Sequence, residues 1–320
     1  MVLLTVAVFV GAPWQSVETA LVADLVAEQD LALGLGLRTA TLQAAQLIGF
    51  AVGGVVVGVF GARAALAIDA VTFLISAVVI RIGVRSRAAG LTHAGAGTDN
   101  AGTDNAGTDI AGPAGSGTGR WFATLGAVLN DRRLRTLLGF SWLLGLLVIP
   151  EGLAAPFAHR LHVGPAGVGL LLAAGPAGVL IGSLVFSRLT RPATRTRLLG
   201  PLAISAGLPL VASAFTAQLP ATLALWALSG AATAYHVQTI TEYVQAIPAG
   251  RRAQAIGLAS ACLLAAQGVG LLLGGAVAQW VGPAAAIAAA GAGASAAAVV
   301  LTLARSRHGR AAPEAAQIAR

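Results

Sequence analysis

Five carboxylates lie inside or at the edge of apolar stretches: Glu18, Asp24, Asp69, Glu151 and Glu242. A charge at membrane depth costs about 2.5–3.5 kcal/mol on insertion scales, so it is directed toward a bundle interior or an aqueous cavity. No arginine falls at mid-span to pair with these groups, and an unpaired, poorly solvated carboxylate can bind and release protons. Aromatic rings accompany two of them. Trp14 is one helical turn before Glu18, and Tyr235 is two turns before Glu242 on the same face. A carboxylate beside an aromatic surface suits an amphipathic or cationic ligand, through ion pairing and cation–π contact. Other roles stay open at each position. Glu18 can reach water at the end of its stretch, Glu151 can sit in a helix break between Pro150 and Gly152, and Glu242 can be interfacial because Pro248 follows closely. Asp69 suits a structural role at a helix terminus. His236 can relay protons or hold a structural hydrogen bond, and Trp142 and Trp226 can line a cavity or anchor packing.

The elements that carry these residues are apolar and long. Of the 320 residues, 57% are hydrophobic and 10% charged, and the mean hydropathy is +0.81, well outside the range of a water-soluble domain. A membrane span needs about 20 largely apolar residues. Such windows predict helices near 2–25, 38–60, 64–82, 135–158, 164–187, 197–216, 219–246, 254–280 and 283–304, an all-α membrane protein of about nine transmembrane helices. With the C-terminus cytoplasmic, every arginine except Arg63 and Arg160 falls on the cytoplasmic side, as the positive-inside rule requires. The formal charge of +8 is carried by arginines alone. They sit in short loops, so the charge orients the chain in the bilayer rather than serving nucleic acid.

Residues 86–120, with the tandem pentapeptides Ala-Gly-Thr-Asp-Asn from Ala96 and Ala101, read as a disordered Gly/Ala/Thr-rich cytoplasmic linker. Residues 121–134, where Trp121, Phe122, Leu125, Val128 and Leu129 recur at helical spacing before Asp131-Arg-Arg, read as an amphipathic cytoplasmic segment. The organisation is thus a partial N-terminal half over 1–85, the linker, this segment, a six-helix C-terminal half over 135–304 and a cytoplasmic tail over 305–320. No motif for a nucleotide, a nucleophile with its base, or a metal stands out, and the single cysteine, Cys262, reads as a small buried hydrophobe. The reading is of a non-enzyme without cofactor or metal.

An internal repeat links the two halves. Residues 44–61 (AAQLIGFAVGGVVVGVFG) and 265–282 (AAQGVGLLLGGAVAQWVG) align without a gap, matching Gly49 with Gly270, Gly53-Gly54 with Gly274-Gly275, and Gly61 with Gly282. Small residues let helix backbones approach closely in lipid, so these glycines are expected to pack their helices in equivalent places. Two related halves joined by a linker is the organisation of a carrier with parallel repeats.

In this arrangement the chain resembles the major facilitator superfamily, in particular its bacterial drug-efflux and siderophore-export branches. Asp24-Leu-Val, the Gly-rich span 42–61 and Ile68-Asp-Ala-Val-Thr-Phe resemble the family's fourth to sixth helices. Pro150-Glu-Gly-Leu-Ala-Ala-Pro, Val168-Gly-Leu-Leu-Leu-Ala-Ala and Gly182-Ser-Leu resemble helices seven and eight. Gln245-Ala-Ile-Pro-Ala-Gly-Arg-Arg, leading into 254–282, resembles the ten-to-eleven loop and helix eleven. Counterparts of the first three helices are missing, and Phe50 follows Gly49 where such exporters commonly carry Gly-Pro. The resemblance implies a two-half bundle with an incomplete N-terminal half, in the inner (plasma) membrane. It places Glu18, Glu151 and Glu242 on three of the four helices that line the family's central cavity. The function it implies is proton-coupled antiport of small hydrophobic or amphipathic compounds. The alternative is a truncated, non-transporting remnant of such a carrier.

Overall fold

A computed structural model describes residues 31–83, 126, 130–190, 192–247 and 252–318. Every regular element among them is an α-helix. They are α1 (Leu31–Gly83), α2 (Arg132–Trp142), α3 (Leu144–Leu147), α4 (Ile149–Arg160), α5 (Pro165–Leu189), α6 (Pro192–Ser213), α7 (Leu219–Ala232), α8 (Tyr235–Gln245), α9 (Arg252–Val281) and α10 (Pro283–Ile318). Six stretches among the described residues are long and apolar enough to cross a membrane.

The difference from nine has three sources. The expected span 2–25 lies outside the described residues. The spans 38–60 and 64–82 lie in α1, whose backbone leaves helical geometry at Gly61 (φ 79°, ψ 164°). The span 219–246 is two helices, α7 and α8, each too short to cross alone, separated by a turn at Thr233 and Ala234. The expected linker also lies outside the described residues, as does most of the expected amphipathic segment. Asp131, at the end of that segment, serves α2 instead. Its carboxylate accepts from the Arg133 N–H at 2.7 Å and the Leu134 N–H at 3.3 Å, capping the exposed amides of the helix. α10 continues past residue 304, the expected end of the last span, to Ile318.

Among the described residues, 132–306 supply the buried core. One cluster gathers Ile149, Phe157, Leu171, Trp226 and Ile287, a second Leu134, Leu138, Tyr243 and Leu258, and a third Phe140, Leu143, Leu199 and Tyr235. Small residues hold the helices close. A Cβ added at Gly178 or Gly182 would collide with the α7 backbone at Ala227 or Ala231, and one added at Gly207 would collide with Gly291 of α10. Side-chain hydroxyls cross between helices: Ser229 Oγ donates to Ala206 O at 2.7 Å and Ser295 Oγ to Ile204 O at 2.8 Å. Both features belong to helices assembled in lipid, where backbone approach and interhelical hydrogen bonds replace the hydrophobic effect as glue.

The outside is apolar. Phe60, Leu66, Phe73, Leu74 and Ile82 of α1, Leu272 and Trp280 of α9 and Phe215 are all exposed by 65% or more. The stretch of α1 after Gly61 carries large apolar side chains on every side and buries none of them among the described residues, as a helix in an apolar solvent does. Charges gather at the helix ends. Arg132, Arg133 and Arg135 at the start of α2, Arg188 at the end of α5 and Arg195 and Arg197 at the start of α6 share one end of the bundle, because α2–α4 and α5 run as a hairpin. Arg160 is at the other end, where its guanidinium donates to Ala214 O at 3.1 Å and lies 5.8 Å from the Phe157 ring centroid.

The repeat is visible in the backbone. Among the described residues the positive-φ glycines are Gly61 (φ 79°) and Gly282 (φ 83°), the last aligned pair of the two copies. Each copy is a helix that stops being helical at a glycine free to adopt this conformation. The packing faces differ, against the expectation of equivalent places. Gly54 abuts α5, with a Cβ there standing 2.7 Å from the Gly169 Cα, whereas a Cβ at Gly49 or Gly53 would meet no described atom within 4 Å. In the second copy Gly270 abuts the Gly145 carbonyl and Gly274 abuts Ile149, while Gly275 is open.

Candidate functional site

Two helix breaks set the positions of Glu151 and His236. The first is at Val148. Pro150 has no N–H to continue the ladder, so the helix restarts at Ile149, with the Glu151 N–H donating to Val148 O at 3.0 Å. Glu151 thereby occupies the first turn of α4, where the helix dipole favours a carboxylate. The second break is at Thr233 and Ala234. Thr233 Oγ1 donates to Gly230 O at 2.6 Å, its N–H to Ser229 O and Gly230 O, and the His236 N–H to Thr233 O at 2.9 Å. His236 thereby occupies the first turn of α8.

Both breaks face one cavity of about 420 Å³, a size typical of small-molecule sites. Its walls come from α1 (Gln43, Gln46), α3 and α4 (Leu144, Glu151), α5 (Leu171, Pro176, Ser183), α6 (Leu210), α7 (Trp226, Ser229), α8 (His236, Val237) and α9 (Leu263, Gln267). Among the described residues that line it, one is a carboxylate and none is an arginine. Two buried polar atoms at this wall have no hydrogen-bond partner, Trp226 Nε1 and His236 Nδ1. Trp226 is only 4% exposed and stacks at 5.6 Å on Phe157. A buried polar atom left without a partner carries a desolvation penalty. His236 also borders a second cavity of about 190 Å³ with Ser141, Tyr243 and Ser260.

The remaining sequence candidates divide sharply. Glu18 and Trp14 lie outside the described residues. Glu242 is paired, contrary to the expectation from mid-span arginines: the Arg305 guanidinium donates to its two oxygens at 2.8 and 3.1 Å, and Gln238 Nε2 donates at 3.1 Å. The partner comes from α10, beyond the predicted end of the last span. Tyr235 is not a cavity wall. It is fully buried, donates its hydroxyl to Phe140 O at 3.1 Å and meets the Phe140 ring edge-on at 6.3 Å. Trp142 is about half exposed on the outside of the bundle. Cys262 is half-buried beside the cluster around Tyr243, and Asp69 is exposed. Sequence reasoning passed over the carboxamides of Gln43, Gln46 and Gln267, although Ala-Ala-Gln opens both copies of the repeat.

No family model, curated protein or solved structure matches this chain.

Proposed function

We propose that this chain is a secondary active transporter of the major facilitator kind, moving small hydrophobic or amphipathic compounds out of the cell in exchange for protons. The observation that carries the reading is the cavity: an apolar chamber in mid-bundle, walled by α1 and by α3 to α9, with one carboxylate and no arginine among its described lining residues. An amphipathic cation is the charged ligand that such a chamber complements. Its apolar body meets Leu144, Leu171, Leu210 and Trp226, and its charge meets Glu151. Glu151 is also the group for coupling, since a carboxylate that exchanges a proton for a cation carries one or the other but not both. Alternating access by rocking of two repeat-related halves would expose this carboxylate to each side in turn. The arginine-rich end of the bundle would face the cytoplasm.

The test is reconstitution of the full chain into liposomes with an imposed proton gradient, with ethidium movement followed by fluorescence. The expected result is gradient-dependent movement by the wild type and a fall to the level of empty liposomes for Glu151→Gln. Equal rates for the two proteins would remove Glu151 from coupling. The second reading, a non-transporting remnant, has one observation in its favour: among the described residues, nothing packs against Gly49 and Gly53 of the first repeat copy. Wild-type liposomes that stay silent under every gradient would establish it.

A further inference from the structure

The two repeat copies do more than end alike. Gln46 and Gln267 are aligned with one another, and both line the central cavity, one from α1 and the other from α9. Each precedes its positive-φ glycine, Gly61 or Gly282, by the same number of residues. At 1.5 Å per residue both therefore lie about 22 Å along the helix from the point where its copy breaks. Two carboxamides at matching depth thus face one chamber from different walls, with Glu151 on a third.

We infer that Gln46 and Gln267 form a repeat-related pair of carboxamides that selects, among organic cations, those bearing N–H groups. The assignment rests on the transporter reading and names the specificity of the same site. The chemistry follows from the donor and acceptor inventory. A carboxamide oxygen accepts from an N–H, as an ionised Glu151 does, whereas the indole of Trp226 only donates. A cation with N–H groups can engage both carboxamide oxygens together with the carboxylate. A quaternary cation without N–H groups gains only the carboxylate and the apolar walls. Gln46 and Glu151 are exposed and Gln267 is half-buried, so a ligand lacking N–H groups forgoes these bonds without stranding a buried polar atom, and the discrimination expected is that of the hydrogen bonds themselves.

The experiment is equilibrium binding to the purified full chain in nanodiscs with two probes: ethidium, which carries two aromatic amino groups, and tetraphenylphosphonium, which carries none. Gln46→Met and Gln267→Met keep side-chain length and remove the carboxamide. Each is expected to weaken ethidium binding about tenfold, the loss of a charge-assisted hydrogen bond, and to leave the phosphonium within about twofold. Glu151→Gln is expected to weaken both probes. A single monodisperse elution peak and a wild-type-like thermal unfolding curve certify that a variant is folded. Should a Met variant fail that control, the corresponding Asn variant is read instead and is expected to weaken ethidium by about threefold. Unchanged ethidium binding, or equal losses for both probes in folded variants, overturns the glutamine assignment and leaves the transporter reading standing. Failure of the wild type to bind either probe overturns both.

Discussion

The helix α8 is 11 residues long, and its two ends treat polar side chains in opposite ways. Near its C-terminal end, Glu242 is 7% exposed and satisfied three times over, twice by Arg305 and once by Gln238, and the adjacent Tyr243 donates to Ala255 O at 3.2 Å. At its N-terminal end His236 has a buried ring nitrogen with no partner and faces two cavities. Glu151 belongs with His236: a helix break presents it to the chamber, and no arginine lines that chamber among the described residues. The difference separates polar groups that build the bundle from polar groups that the bundle holds ready for something else. Position in an apolar stretch does not distinguish them; the partner does.

Breaking the satisfied end has the largest expected effect. Arg305→Ala leaves the Glu242 carboxylate without its counter-ion in a buried setting and is expected to destabilise the protein by about 3 kcal/mol, the low end for removing one partner of a buried pair. Thermal and denaturant unfolding in detergent measure this. The double variant Glu242→Leu with Arg305→Leu is expected to recover most of the loss, since replacing both partners by apolar groups is often neutral or stabilising. If the double variant is as unstable as the single one, Glu242 and Arg305 act separately and the contrast between the two ends weakens. A smaller loss, about 0.6–1 kcal/mol, is expected for Tyr243→Phe, which removes one interhelical hydrogen bond and little packing.

How much of this was legible in the sequence depends on the range of the interaction. Helix identity was, because hydropathy and Gly and Pro positions are local: the break at Gly61, the restart after Val148 and the turn at Gly282 follow from the residues at those places. The turn inside 219–246 was not. No proline marks it, and the hydroxyl of Thr233 makes it by bonding back to Gly230 O. The Glu242–Arg305 pair joins residues 63 apart in the chain, a separation at which composition carries no information about contact. Tyr235 sits on the expected helix face relative to Glu242, but α2 packs on that face, so the ring is core and not cavity wall. The glutamines were within reach. Ala-Ala-Gln recurs at the head of both repeat copies, and a polar residue kept beside aligned glycines in two apolar helices is the signal that would have placed them.

The smallest expected effect on stability falls at the unsatisfied end, and its sign is opposite. His236→Leu replaces a side chain whose Nδ1 is buried without a partner by an apolar one of similar bulk. Removing an unpartnered polar atom recovers part of its desolvation cost, so the variant is expected to be unchanged or more stable by up to about 1 kcal/mol. Under the transporter reading the same variant is expected to slow gradient-driven ethidium movement, because the chamber loses a group that can bind water or ligand. Stability gained with activity lost is the signature of a polar residue kept for function. Stability lost to the same degree as in Tyr243→Phe would instead show that His236 has a structural partner in the folded protein, and the two ends of α8 would then be of one kind.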